Sequence, residues 1–416
     1  MLESLHLKNV GPAPEMELRL AQRLNLITGD NGLGKSFLLD IAWWALTRTW
    51  ARHLVLPAPA QGKPRIAYSY TKSTPRSYSY ESTYDRKAER WSVNNGRPAI
   101  PGLVLYAQVD GGFSVWDPAR NYWRTDAPDR PSSYLFAPHE VWAGNAHCEG
   151  LIRDWASWQR EKGEAFNMLT KVLQVLSPPG GEPLHPGELR KLTVEDPKRY
   201  PTLRMPYGQD VAVTHASAGM RRIIALTYLL IWAWQEHIAA AEVRGDDPAR
   251  EIIFLIDEIE AHLHPQWQRR IVPAVLNVMD ALTGSHGSRV QLITATHSPL
   301  VLASVEPLFD VKKDAWFDLD LEEARVVLRK REFVRRGDVS NWLTSEAFDL
   351  RKARSLEAES AIETALALLR QKDPPWKDVE SADQGLHAAG LPDIDPFWVR
   401  WGQFVEERKP AKRGKR

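Results

Sequence analysis

The chain has 416 residues, 43% of them hydrophobic and 26% charged, which is enough apolar material for a large core and enough length for two or three domains. A formal net charge of +1 excludes a general electrostatic pull on nucleic acid and leaves only local patches for such contacts. The single cysteine, Cys148, excludes an internal disulfide and fits a reducing cytoplasm, the expected location.

The first strand-like segment begins almost at Met1, so no signal peptide is expected. An apolar run over 24–28 then leads into Gly29-Asp30-Asn31-Gly32-Leu33-Gly34-Lys35-Ser36, which fits G-x-x-x-x-G-K-[ST], and a helix-like run follows from Phe37. A strand before and a helix after are the setting of a phosphate-binding loop. Its glycines let backbone N–H groups close around β- and γ-phosphates, Lys35 adds a mobile positive charge, and the Ser36 hydroxyl supplies one Mg²⁺ position. The chain is expected to bind a nucleoside triphosphate here.

Residues 64–125 are rich in Ser, Thr, Tyr and Trp with period-two stretches, and Asn95-Gly96 and Gly111-Gly112 are hairpin signals, so a twisted antiparallel β-lobe is expected. Within it, Gln108 in LVLYAQVD is a candidate Q-loop glutamine, with an ordinary exposed strand glutamine as the commoner reading. From 148 to 176 the pattern is helical, with Leu151, Ile152, Trp155, Trp158, Phe166, Leu169 and Leu173 near helical spacing. It stops at Ser177-Pro178-Pro179-Gly180-Gly181, and a loop-rich passage follows to Gly208.

Thr214-His215-Ala216-Ser217-Ala218-Gly219-Met220-Arg221-Arg222 opens a long apolar stretch over 223–241. Ser217 is placed to cap that helix, and a capped helix start offers free N–H groups to an anion. Gln235, Glu236 and His237 make the stretch a buried helix rather than a membrane span, and no other run approaches roughly eighteen apolar residues. Residues 251–260, EIIFLIDEIE, form a buried parallel-strand run ending in adjacent carboxylates, the Walker B pattern. Asp257 at the strand end is placed to hold Mg²⁺ through water, and Glu258 to polarise the attacking water. His262 and His264, spaced i and i+2, do not share a helical face and speak against a metal site. Pro265 suits the first turn of a helix over 266–282. Another buried strand, VQLITAT over 290–296, delivers His297-Ser298-Pro299 to the sheet edge where open α/β sheets place their ligands.

Beyond it, Arg325, Arg329, Lys330, Arg331, Arg335 and Arg336 read first as charges on an exposed hairpin, with nucleic-acid phosphates as the alternative. Residues 355–371 read as an amphipathic helix with Leu356, Ile362, Leu366 and Leu369 inward, and the tail 408–416 is dense in Lys and Arg. Of the 17 tryptophans, Trp43, Trp44, Trp232, Trp234 and Trp267 fall in apolar helices and read as core.

Four segments, in this order, resemble the ABC-type ATPase heads of the OLD/RecF-like branch. GDNGLGKS resembles Walker A, HASAGMRR the signature, FLIDEIEAHLHP Walker B running into the D-loop, and ATHSP the switch-histidine segment. The signature reads ASAGM where transporters carry LSGGQ, and EIEAHLHP replaces their continuation after Walker B, so the resemblance turns away from transporters. It implies ATP and Mg²⁺ as cofactors, with Lys35, Glu258 and His297 catalytic and Ser36 and Asp257 on the metal. The expected nucleotide cradle is Gly29, Asp30, Asn31, Gly32, Leu33, Gly34, Lys35, Ser36 and Phe37. His297 would sense the γ-phosphate, and Ser217 and Gly219 would act on the nucleotide of a second copy.

The implied fold is α/β, a doubly wound, mainly parallel ATPase head. Its core is expected over 1–63 and 211–310, with an antiparallel β-lobe over 64–147 and a helical lobe with connecting loops over 148–210. A small, mainly helical region is expected over 311–416. GDVSNWLTSEAFDLRKARSLEAESAI and DPFWVRW resemble the tails of prokaryotic defence ATPases of the Septu and retron-associated kind. That resemblance implies a separately encoded nuclease partner of HNH type and no nuclease within the chain. A toprim centre needs a glutamate after a strand and a much later Asp-x-Asp, and Asp318-Leu319-Asp320 follows His297 too soon. The implied assembly is a homodimer closed on two ATP molecules, with a higher oligomer and nucleic-acid contact left open and no membrane partner. A RecF-like DNA repair or loader ATPase, a transporter nucleotide-binding subunit and a non-hydrolysing module are the alternative readings.

Overall fold

Alternating apolar and polar residues at the start of the chain form two antiparallel strands, β1 (Leu2–Lys8) and β2 (Glu15–Arg19), which bury Leu5, Leu7, Met16 and Leu18 on one face. The run before the phosphate loop is β3 (Leu24–Gly29), and the loop opens α1 (Lys35–Thr47). There follow β4 (Arg65–Thr71), β5 (Ser77–Asp85), β6 (Arg90–Trp91), β7 (Leu103–Ala107), β8 (Phe113–Trp116), α2 (Pro118–Asn121), β9 (Tyr134–Phe136) and α3 (Pro138–Ala143). The middle of the chain holds α4 (Leu151–Glu161), α5 (Glu164–Leu176), β10 (His185–Pro186), β11 (Thr202–Arg204), β12 (Asp210–Ala212) and α6 (Ala218–Arg244). Then come β13 (Glu251–Ile256), α7 (Pro265–Gln268), α8 (Ile271–Thr283), β14 (Arg289–Ala295), α9 (Pro299–Val305), β15 (Asp314–Glu322), β16 (Arg325–Arg331) and α10 (Val339–Leu343). The last elements are α11 (Leu356–Leu369), α12 (Trp376–Ala388) and α13 (Phe397–Arg408). This computed structural model describes residues 1–57, 62–71, 76–93, 100–122, 132–177, 183–283, 289–348, 350 and 354–409, in two compact units, Met1–Trp342 and Leu343–Arg416.

The core sheet of the first unit runs β16-β15-β3-β14-β13-β7-β8-β9. The five strands from β15 to β7 are mutually parallel, and β16, β8 and β9 extend its two edges antiparallel. β13 and β7 are buried at every residue, as strands covered on both faces must be. A second sheet, β2-β1-β4-β5-β6, is antiparallel throughout. Its inner face carries Tyr68 and Tyr70 stacked on Tyr80, and Trp44 of α1 meets Tyr68 and Trp91. α6 is long and apolar enough to cross a membrane by composition, but its residues from Ile223 to Trp234 are buried, and Trp232 meets Tyr134 and Phe136 edge-on.

Pairing redraws the boundaries expected from the sequence. Residues 64–147 do not form one lobe, because β4 to β6 add to β1 and β2, whereas β7 to β9 join the core sheet. The Gly111-Gly112 signal does fall in the turn between β7 and β8, and Asn95-Gly96 lies outside the described residues. The passage 181–208 contributes β10 and β11, which form a small antiparallel sheet with β12. β15 and β16 belong to the core sheet, so the C-terminal unit begins at Leu343 rather than at 311. The helix expected over 266–282 is two, α7 and α8, and 148–176 is likewise divided between α4 and α5.

In the second unit α11, α12 and α13 enclose Ile362, Val379, Leu386, Trp401 and Phe404. The buried stripe of α11 is Ala358, Ile362, Ala365 and Leu368, and Leu356, expected inward, is 79% exposed.

Candidate active site

The phosphate loop closes on itself. Gly29 leaves β3 at φ 129°, and a side chain there would collide with the Leu319 carbonyl, so only glycine fits. Lys35 is buried, and its Nζ donates to Gly29 O at 2.7 Å and Asp30 O at 2.8 Å. Burial pulls its pKa below the ordinary lysine value, against the opposing charges of Glu258, Asp257 and Asp30. α1 starts from Gly34 with no side-chain cap and no acidic residue in its first turn. Its leading N–H groups are therefore without a side-chain acceptor, as an anion site at a helix start requires.

Ser36 Oγ donates to Asp257 Oδ1 at 2.9 Å. Two hard oxygen donors thus meet where the loop faces the end of β13, the donor type that Mg²⁺ selects. Asp257 is wholly buried, and Glu258 follows it with φ 46°, a left-handed turn that redirects the chain after the strand. His297, after β14, places Nε2 3.9 Å from Glu258 Oε1. Burial, and then the Lys35 charge, hold the His297 pKa below its usual value and favour the neutral imidazole.

Lys35, Ser36, Asp257, Glu258 and His297 are thereby drawn together from three strand ends. Ser217 and Gly219 are not part of this cluster. Ser217 is exposed and caps α6, accepting Met220 N at 3.3 Å. A side chain at Gly219 would come within 2.7 Å of His262 O, so the start of α6 lies against the turn that follows Walker B. His262 and His264 are exposed, and His264 Nδ1 accepts Gln266 N at 3.4 Å as a cap to α7.

Several site residues escape sequence reasoning. Arg52 reaches Asp40 with Nε and Nη2 at 3.1 and 3.2 Å, Tyr106 Oη at 2.8 Å and Asp257 Oδ2 at 3.4 Å. Tyr106 also donates to Asp40 Oδ1 at 3.0 Å. Burial raises the pKa of Asp40 against these partners. Arg222, within the signature segment, turns inward and donates to Gln108 O at 2.5 Å, Val109 O at 3.2 Å and Asp257 O at 3.2 Å. It ties the start of α6 to the ends of β7 and β13. Gln108 is buried, and its Nε2 donates to Ser114 Oγ at 3.0 Å, so the expectation of an exposed strand glutamine is corrected. Two arginines of the basic run on β16 are paired by its hairpin partner: Arg329 with Glu322 and Asp320, and Arg331 with Asp318 and Asp320.

The phosphate loop, the start of α6, the carboxylates after β13 and the histidine after β14 follow one another along the chain in the order on which the resemblance to ABC-type heads rests. Septu protein PtuA of Bacillus thuringiensis is 21% identical over 365 residues, 84% of this chain and 83% of that protein. The Retron Vc95 probable ATPase of Vibrio cholerae serotype O1 biovar El Tor is 32% identical over 99 residues; the match takes in 24% of this chain and spans 17% of the retron protein. Among solved structures, the SMC head domain from Thermotoga maritima is similar at a TM-score of 0.43 and 14% identity, over 80% of this chain and 99% of that one. The model of the family described as "AAA domain, putative AbiEii toxin, Type IV TA system" matches residues 24–303, from β3 into α9, and the chain belongs to that family.

Proposed function

We propose that this chain is the ATP-hydrolysing subunit of a prokaryotic defence system, that two copies pair around ATP, and that the pair governs a separately encoded nuclease of HNH type. The observation that carries the ATPase reading is the 2.9 Å bond from Ser36 Oγ to Asp257 Oδ1, beside a buried Lys35 and an uncapped α1. The leading N–H groups of α1 and the Lys35 ammonium would receive the β- and γ-phosphates. Ser36 and Asp257 would hold Mg²⁺, which when bound neutralises phosphate charge. Glu258 would orient the attacking water, and the neutral His297 would read the γ-phosphate. Ser217 and Gly219 would serve the nucleotide of the second copy, consistent with the exposure of Ser217. Similarity to PtuA and the retron ATPase supports the defence setting, and the nuclease partner rests on the resemblance of the C-terminal segments to defence ATPases. The paired arginines of β16 lend no support to a DNA-binding repair ATPase.

Glu258→Gln tests the reading. It keeps the pocket and removes the base, so ATP affinity should be retained while turnover falls about 10²–10⁴-fold, and light scattering should find dimers accumulating with ATP. Wild-type turnover would reject the Walker B assignment. Affinity capture of the chain from its native host, with and without ATP, tests the partner: co-recovery of a nuclease in stoichiometric amount supports it, and nucleic acid without a protein partner rejects it.

A further inference from the structure

Two residues beyond Glu258, the side chain of Glu260 turns back into the protein. One carboxylate oxygen accepts the His297 backbone N–H at 2.5 Å, and the other accepts the Thr296 hydroxyl at 2.7 Å. Thr296 Oγ1 accepts Ser298 N at 3.1 Å, Ser298 Oγ donates to Gln268 Oε1 at 2.7 Å, and Gln268 Nε2 donates to Leu263 O at 2.8 Å. The loop that carries His297 is therefore tied, at three successive residues, to the turn that carries Glu258. No lysine or arginine forms an ion pair with Glu260 among the described residues. Burial accordingly raises its pKa, with the bonds from His297 and Thr296 opposing. An unpaired carboxylate in such a place is costly, and a backbone N–H can only donate. A group with two acceptor oxygens answers both donors at once, whereas an amide offers one.

We infer that Glu260 is the positioning residue of the switch histidine: its carboxylate fixes the backbone at His297 and so sets where the imidazole stands against Glu258. This deepens the proposed function and rests on His297 acting at the γ-phosphate. Gln268 holds the far side of the same loop through Ser298.

The test is a double-mutant cycle in the full chain, reading kcat, KM and the affinity for a fluorescent ATP analogue. Glu260→Ala should lower kcat about tenfold or more, with affinity within about twofold of wild type. Glu260→Gln, which keeps one acceptor, should restore part of the rate. Combined with His297→Ala, Glu260→Ala should cause no further loss, because its effect passes through the histidine. Losses that multiply, or an unchanged kcat in Glu260→Ala, would overturn the inference. His297→Ala at the wild-type rate would reject the γ-phosphate role itself and take this inference with it. Should Glu260→Ala fail to fold, Gln268→Ala enters the same cycle: a smaller loss that disappears in the His297→Ala background supports the coupling, and one that persists there refutes it.

Discussion

Arg52 offers the sharpest test of the electrostatics around the site. Methionine in its place keeps the apolar stem and removes a cation that serves Asp40, whose side chain is 16% exposed, and Asp257, which is fully buried. Stripping one partner from a buried ion pair costs about 3–5 kcal/mol. Arg52 is itself 22% exposed and Tyr106 still donates to Asp40, so the lower end, about 3 kcal/mol, applies. With an unfolding entropy near 2.1 cal/mol/K per residue, the unit Met1–Trp342 would melt about 4 °C lower. The loss should shrink in acid, because a protonated Asp40 needs no cation. Mg²⁺ with ATP should recover part of it, since a bound cation can stand at Asp257 but not at Asp40. Differential scanning fluorimetry of Arg52→Met and wild type, with and without Mg²⁺-ATP, measures both effects. A fall of less than about 1 °C would show that the network carries little energy. An equal Mg²⁺-ATP increment in the two proteins would refute the placement of the metal beside Asp257.

Lys35→Ala should abolish saturable ATP binding in calorimetry, because it removes the buried cation that bonds the loop's own carbonyls; retained affinity would refute its phosphate role. His297 titrates below about 6.5 when folded and near that value when unfolded, so the unfolded chain is the stronger proton binder. Stability should therefore fall as pH drops through 6.5 toward the lower folded pKa, and His297→Ala should flatten that slope in urea unfolding. Trp401, buried and donating to Asp383 Oδ1 at 2.9 Å, anchors the C-terminal helices. Trp401→Ala should cost about 3–5 kcal/mol and open the C-terminal unit to limited proteolysis ahead of the first.

What the sequence makes legible is local. β13 and β14 are mostly apolar and are followed by Asp257-Glu258 and His297, so strand, order and site can be read together. Arg52, Asp40 and Tyr106 meet from a loop, a helix and a strand, and no spacing announces that. Glu260 sits inside a motif that is plain in the sequence, yet its partners come from another strand end. β7 is strand-like in sequence, but whether LVLYA lies beside β13 or in the antiparallel sheet depends on pairing. The basic run of β16 is legible, whereas the pairing of Arg329 and Arg331 with acidic residues of β15 depends on a register that sets Arg329 against Asp318 and Arg331 against Trp316. In α11 the period is legible and the phase is not, because leucines and alanines both fit an inward stripe.

β3 lies between β14 and β15, with Leu24 opposite Leu292 on one side and Asp314 on the other. Both edges of the strand that presents the phosphate loop are thus closed by chain that leaves the ribosome almost three hundred residues later. At about 5–20 residues per second, β3 waits roughly fifteen to sixty seconds for its partners. A nascent chain halted before β15 has a strand with an open edge where the finished protein has its loop. Completion of the sheet around the strand that presents the phosphate loop is therefore a late event in biogenesis.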